Sequence, residues 1–99
     1  MMGLRKMGAP EAHVEEYLRK RVKEAGGKHR KVTYQGRKGA PDDWCLFPGG
    51  KLIIVECKSD VGEVEKHQRR ELDTLSNLGF SAFVVTSREE VDLVMELVL

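Results

Sequence analysis

Acidic side chains stand where two neighbouring segments of this sequence begin and end. Asp42 and Asp43 follow a proline, and the apolar run 52–55 continues without a break into Glu56 and Lys58. Carboxylates that are brought together repel one another unless they share a proton or bind a divalent cation. The pattern therefore indicates either a buried network of charges or a metal site able to support hydrolysis.

A predicted hairpin brings these acidic positions together. The segments 43–47 and 51–58 indicate two strands, and the sequence PGG between them indicates a turn. The start of the first strand then lies beside the end of the second, so that Asp42 or Asp43 can approach Glu56. Residues two apart in a strand point to one face at about 6–7 Å, which places the lysine at 58 beside this pair.

Two interpretations explain a grouping of an aspartate, Glu56 and Lys58. The first is a buried ion network that only supports the fold. Such networks stabilise a small domain poorly, because the cost of removing ions from water offsets their attraction. The second is a hard divalent cation with oxygen ligands, for which Mg²⁺ and Mn²⁺ are the expected ions. We favour the metal.

The elements that must position these groups follow from apolar periodicity and turn residues. Pro10 suits the first turn of a helix that Gly26 ends, and Ser87 and Glu90 suit a capping box that starts the last helix. Between them the patterns predict a basic strand at 28–34, the hairpin, a helix over 63–78 and a strand over 80–86. The order α-β-β-β-α-β-α predicts an α/β fold with a mixed sheet flanked by helices.

Length and charge limit the classes of protein that fit. A chain of 99 residues is expected to form one domain, spanning 1–99. The net charge of +1 conceals a split, since residues 1–41 carry eleven Lys and Arg against four Asp and Glu, a balance of +7, and residues 42–99 carry six against twelve, a balance of −6. A basic half favours a polyanionic partner, although two solvated faces of opposite sign would give the same count.

Cysteine use and hydropathy favour a location in the cytosol. Cys45 and Cys57 are most simply buried thiols in a reducing compartment, and with the three histidines they show no zinc-like spacing. The sequence contains no apolar run of the length that crosses a membrane. We therefore expect no membrane association.

The acidic positions resemble a known nuclease signature. Pro41-Asp42 followed by Glu56-Cys57-Lys58 is similar to the PD-(D/E)xK motif, and the predicted αβββαβ order resembles the restriction-endonuclease-like core. The opening helix, the GxPD loop and a helix that carries Gln68 resemble the VRR-NUC branch of this superfamily over residues 11–96.

This resemblance implies a role for each matching residue. Asp42, Glu56 and the backbone carbonyl of Cys57 would bind Mg²⁺ or Mn²⁺, and Lys58 would orient the attacking water and stabilise negative charge. Glu15 and Gln68 would bind the metal through water or steady the nearby groups. The expected catalytic set is thus Glu15, Asp42, Glu56, Lys58 and Gln68.

Three of these positions have alternatives. Glu11 lies nearer the middle of the apolar stripe of the first helix than Glu15 and is its rival. Asp43 is expected to be a supporting residue behind the site or a solvent-exposed one. Gln68 falls on the apolar stripe of its helix, where it could be a core glutamine bonded to backbone instead of a site residue.

The resemblance also implies a substrate and an assembly. It implies an endonuclease that hydrolyses structured or branched DNA such as Holliday junctions, acting as a homodimer in a bacterium or a phage-infected cell, with segments 80–85 and 91–99 as candidate dimer surfaces. The expected DNA-binding residues precede the Asp42 loop: Lys28, Arg30, Lys31, Arg37 and Lys38. A non-catalytic nucleic-acid-binding module and an interaction subunit that uses the acidic half are the alternatives.

Overall fold

Four strands form one mixed sheet in the order β1-β2-β3-β4. The structure is a computed structural model that describes residues 10–59 and 61–99. The strands are β1 (Lys28–Lys31), β2 (Asp43–Phe47), β3 (Lys51–Cys57) and β4 (Ser81–Val85), and the helices are α1 (Glu11–Glu24), α2 (Lys66–Asn77) and α3 (Arg88–Val98). β1, β2 and β3 pair antiparallel, and β4 pairs parallel to β3. The predicted α/β class and order of elements are confirmed.

The two faces of the sheet are covered by different helices. On one face, here called the α1 face, α1 and α3 pack on alternate residues of the central strands, including Ile53, Val55 and Cys57. On the other, the α2 face, lies α2, the crossover helix that a parallel β3–β4 pair requires. Its buried Leu72 and the buried Ile54 belong to that side and not to the main core cluster.

The β2–β3 hairpin sets which acids share a face. Asp43 pairs with Val55, so that the next position outward places Asp42 opposite Glu56. Cross-strand partners point to the same side of a sheet and successive residues to opposite sides. Asp43 therefore faces α1 with Val55, while Asp42 and Glu56 face α2.

Several element boundaries differ from the predicted ones, and β3 ends at Cys57 and not at 58. β1 ends at Lys31 and not at 34, because its partner β2 begins opposite, at Asp43. α2 begins three residues later than predicted, since Glu65 is the N-cap and forms a capping box with Gln68. The strand predicted over 80–86 is shorter by one residue at each end. The predicted start of α3 is confirmed, as the Ser87 hydroxyl accepts the backbone N–H of Glu90 at 3.1 Å.

Within residues 10–59 and 61–99, no helix has the length and apolar character that crossing a membrane requires.

Gly27 allows α1 to turn directly into β1. A Cβ atom at this position would lie 2.7 Å from the backbone oxygen of Leu46 and 2.7 Å from a ring carbon of Phe47. We expect Gly27→Ala to lower the free energy of unfolding by about 1–3 kcal/mol through overpacking, measured by urea denaturation. The neighbouring exposed Lys28→Ala serves as the control, and equal stability of the two variants would show that the close approach is not required.

Candidate functional site

Glu56 is the centre of a polar group at the carboxyl end of β3. It is 2% exposed although it carries a carboxylate. Its Oε2 atom lies 3.5 Å from Nζ of Lys58 and accepts a hydrogen bond from Nε2 of Gln68 at 3.2 Å. Its Oε1 atom is buried and has no hydrogen-bond partner among the residues that the structure describes. One oxygen of this buried acid therefore has a hydrogen bond and an ion-pair contact, whereas the described residues offer the other no hydrogen bond.

The environment of Glu56 disfavours its charge. Burial, and next the Asp42 carboxylate opposite, raise the pKa of Glu56 from 4.5 to about 7 even though Lys58 acts against the shift. A divalent cation between the two acids would remove both causes, because it replaces lost hydration and screens the repulsion. The orphaned Oε1 atom and the oxygen-only donor set thus fit Mg²⁺ or Mn²⁺.

Gln68 reaches this group from the first turn of α2. Its Oε1 atom accepts the backbone N–H of Glu65 at 3.0 Å, and its Nε2 atom donates to Glu56. The glutamine was expected either to bond to backbone in the core or to belong to the site. It does both, since one end of its amide bonds to the backbone and the other to the buried acid. Its place on the apolar stripe of the helix follows from this second bond.

Lys31 connects Asp42 to the opposite side of the sheet. Its ammonium nitrogen lies 3.9 Å from Oδ2 of Asp42 and 3.9 Å from Oδ1 of Asp43, and it forms a short hydrogen bond with Oε2 of Glu15. Burial lowers the pKa of Lys31, but the bond to Glu15 and the nearby aspartates outweigh this and raise it. Lys31, for which the sequence predicts a DNA contact, is engaged with carboxylates in this structure.

Asp43 is fully buried, so its expected alternative position in solvent is wrong. The pleat of β2 turns the Asp43 side chain toward α1, where it is buried. The sequence alone does not predict this burial. Its Oδ1 atom lies 2.5 Å from Nε2 of His29. Burial and the neighbouring Glu15 raise the pKa of Asp43 to about 7.

Glu15 stands with this buried aspartate. Ligand atoms of Glu15, His29 and Asp43 all lie within 4.8 Å of one another. Burial alone would raise the pKa of Glu15, but the hydrogen bond from Lys31 lowers it below its usual value. The rival Glu11 is exposed at the first position of α1.

The Cys57 side chain packs in the core on the α1 face, where burial raises the pKa of its thiol above the ordinary range. This leaves only its backbone between Glu56 and Lys58 at the site. Cys45 is also buried and unbridged, as expected from the sequence.

The other basic residues lie at two places around the group. Lys28 and Arg30 pair with Leu46 and Trp44, so that both face the α2 side together with Glu56. Both are exposed, as are Arg37 and Lys38 in the loop that leads to Asp42.

A contact that the sequence did not indicate docks this loop on α2. The Tyr34 hydroxyl donates to Glu71 at 2.6 Å, and Arg37 lies 3.5 Å from the same carboxylate with its guanidinium over the Tyr34 ring. Burial, and next the bond to Glu71, raise the pKa of Tyr34 to about 12. Gly39 approaches the backbone of His67 with φ +103°, where a Cβ would lie 3.0 Å from the carbonyl oxygen. The loop position, and with it Asp42, is therefore fixed against the helix.

The raised pKa of Glu56 predicts how stability varies with pH in the metal-free protein. A carboxyl group whose pKa is higher when folded stabilises the fold below its unfolded pKa, and this stabilisation is lost as the pH rises through the folded value. With EDTA present, the melting temperature of the wild type should therefore fall between about pH 4.5 and pH 7. Glu56→Gln should flatten this fall and the exposed Glu65→Gln should not. Parallel profiles for all three proteins would contradict the assignment.

Comparison with known proteins identifies the fold that carries this site. No protein-family model matches the chain. It is 35% identical over 79 residues to "Putative nuclease p44" of Acyrthosiphon pisum secondary endosymbiont phage 1, which covers 80% of this chain and 85% of that protein. A solved structure described as a VRR_NUC domain superposes with a TM-score of 0.81 at 36% identity, covering 89% of this chain and 97% of the other. The chain therefore belongs to the VRR-NUC family of nucleases.

Proposed function

We propose that this protein is a metal-dependent DNA endonuclease that cuts structured or branched DNA, such as Holliday junctions. The observation that carries the proposal is the buried Glu56 opposite Asp42. One of its oxygens has no hydrogen-bond partner in the described part of the chain, and Lys58 lies 3.5 Å from the other. A purely structural ion network would satisfy both oxygens, since an unpaired buried acceptor costs about 1–3 kcal/mol. The arrangement is better explained as a preorganised site.

The acids at the end of β3 would hold the metal. Asp42, Glu56 and the backbone carbonyl of Cys57 would bind Mg²⁺ or Mn²⁺, and a bound ion of this kind supplies Lewis acidity and lowers the pKa of water. Gln68 holds Glu56 through its Oε2 atom and makes no bond to Oε1. Glu15 acts from the far side of Lys31, whose ammonium lies near Asp42.

Lys58 would act on the phosphate. Its side chain is 15% exposed and follows Glu56 on the same face of β3. An ammonium at this place can donate hydrogen bonds to a phosphoryl oxygen and to the attacking water, and it stabilises the negative charge that develops during displacement. Its contact with Glu56 keeps the long side chain directed into the site.

Exposed basic residues would hold the DNA backbone. Lys28 and Arg30 lie on the same face of the sheet as Glu56, and Arg37 and Lys38 lie in the loop before Asp42. Contacts of this kind position a duplex without reading bases, and they make binding salt-dependent. We assign Lys31 to the carboxylates and not to DNA. The relative from a phage supports a place of action in the cytoplasm of a bacterium or an infected host.

We further propose that the active form is a homodimer, because cutting both strands of a junction requires two sites. The outward side of α3 supports this assembly: Leu93 is 56% and Leu97 74% exposed. Within the part of the chain that is described, β4 pairs only on its β3 side, so this edge of the sheet adjoins the same surface. Phe80, just before β4, is 46% exposed.

Cleavage assays test the catalytic residues. Lys58→Ala and Asp42→Asn should each lower the cleavage rate on junction DNA with Mg²⁺ or Mn²⁺ by about 10²-fold or more, since each removes charge stabilisation or a metal ligand. The exposed Lys66→Ala, at the start of α2, is the matched control and should cut normally. A panel of linear, nicked, flap and junction substrates gives the preference. Salt-sensitive DNA binding without cleavage in either metal would favour the non-catalytic module.

Molecular mass in solution tests the dimer. Leu93→Glu and Leu97→Glu should convert the protein to monomer, because a carboxylate on a buried apolar interface is strongly unfavourable. Val61→Glu places the same charge at a position that is 80% exposed and away from α3, and should leave the mass unchanged. Light scattering that gives a monomer for the wild type at micromolar concentration would refute the assembly.

A further inference from the structure

A second group of ligands lies on the opposite face of the sheet from Glu56. It is formed by Glu15 from α1, His29 from β1 and Asp43 from β2, whose ligand atoms lie within 4.8 Å of one another. Asp43 and Asp42 are adjacent but point to opposite faces, because side chains alternate along a strand. The pleat therefore separates this group from the proposed catalytic acids.

The group contains an acceptor that the fold leaves unsatisfied. The side chain of Asp43 is 1% exposed, and its Oδ2 atom has no hydrogen-bond partner within residues 10–59 and 61–99. His29 approaches the other oxygen, Oδ1, at 2.5 Å, so this contact does not account for Oδ2. A buried, unpaired carboxylate oxygen needs an explanation, and an ion is a frequent one.

The donor set favours a particular class of metal. One imidazole nitrogen with two carboxylates is a combination suited to zinc and other first-row transition metals, whereas Mg²⁺ prefers oxygen alone. The His29 side chain is 11% exposed, so its imidazole is largely enclosed beside the buried Asp43. We propose that Glu15, His29 and Asp43 form a second metal site, which takes a divalent transition metal ion of the Zn²⁺ class.

Lys31 is the internal competitor for this site. Its ammonium bonds Glu15 and lies 3.9 Å from Oδ1 of Asp43, so it neutralises part of the charge that an ion would use. Its side chain is 50% exposed, which lets it swing into solvent when an ion binds. A bound metal would then tie α1, β1 and β2 together at one point.

This second site rests on the proposed function only in sharing Glu15, because the proposed nuclease mechanism also uses that residue. Titration with Zn²⁺ by calorimetry, in excess Mg²⁺, separates the two sites. Wild-type protein should bind Zn²⁺, and Glu56→Gln should retain this binding, because Glu56 belongs to the other face. Loss of Zn²⁺ binding in Glu56→Gln would place the ion among the catalytic acids and overturn the proposal.

His29→Gln is the decisive variant. It keeps a hydrogen-bonding group beside Asp43 but removes the ring nitrogen, and it should weaken Zn²⁺ binding at least about tenfold, as loss of even an indirect partner does. His13→Gln, at an exposed position on α1, is the matched control. Lys31→Met should tighten binding by removing the competing charge. Undiminished binding by His29→Gln, or no tightening in Lys31→Met, contradicts the proposal.

A measurement on the wild type removes any dependence on the folding of variants. The chain has three histidines, so their imidazole signals can be followed separately by NMR. Zn²⁺ should shift the ring nitrogen signals of His29 and leave those of His13 in place, and it should raise the melting temperature by binding the folded state alone. Absence of Zn²⁺ binding, or binding that leaves His29 unshifted, would overturn the site.

Discussion

The alternation of side chains at one end of the β2–β3 hairpin determines where every acidic group of this protein lies. The register pairs Asp43 with Val55 and thereby sets Asp42 opposite Glu56. A shift of this register by one residue would exchange the two faces and would place core side chains beside the site. Packing of α1 and α3 on Ile53 and Val55 prevents such a shift, since both are buried in the core. The hydrophobic core thus maintains the geometry of the charged groups.

Burying carboxylates is costly in a fold of this size, and the structure leaves part of the cost uncompensated. Burial raises the pKa of both Glu56 and Asp43 to about 7. Such groups store free energy that a bound cation can release, because the ion stabilises the charged forms. Strain of this kind is common at functional sites, where stability and activity conflict. Each acid has one buried oxygen to which none of the residues at 10–59 and 61–99 bonds, and this fits the pattern.

The parts of the fold that could be predicted from sequence depend on local interactions. The capping contact of Ser87 with Glu90 and the hairpin joining β2 to β3 involve residues close in the chain, so their patterns are visible in the sequence. The approach of Asp42 to Glu56 followed from the hairpin alone. The tie between Tyr34 and Glu71 joins residues 37 apart, and no periodicity records it.

The surroundings of Glu15 could not be predicted either, because its partners are distant in the chain. The helical wheel left Glu11 and Glu15 open, because it reports the direction of a side chain and not its partner. His29 lies in a basic segment that suggested a strand contacting DNA, and only the pairing of β1 with β2 brings it to Asp43. The DNA contacts predicted for the basic residues stay a prediction, and the pairing of Lys31 with Glu15 was not visible in the sequence.

The orientation of a single amide group is decided by the helix that carries it. Gln68 has its oxygen committed to the main chain at Glu65, so its nitrogen is the end that faces Glu56. Rotation of this amide by half a turn would point its oxygen at the Glu56 carboxylate. It would also break the hydrogen bond to the Glu65 backbone at the start of the helix. An asparagine is too short to span both contacts, and a glutamate would keep the first while repelling the second. The first turn of α2 and the orientation of the Glu56 carboxylate therefore depend on the same residue and have to evolve together.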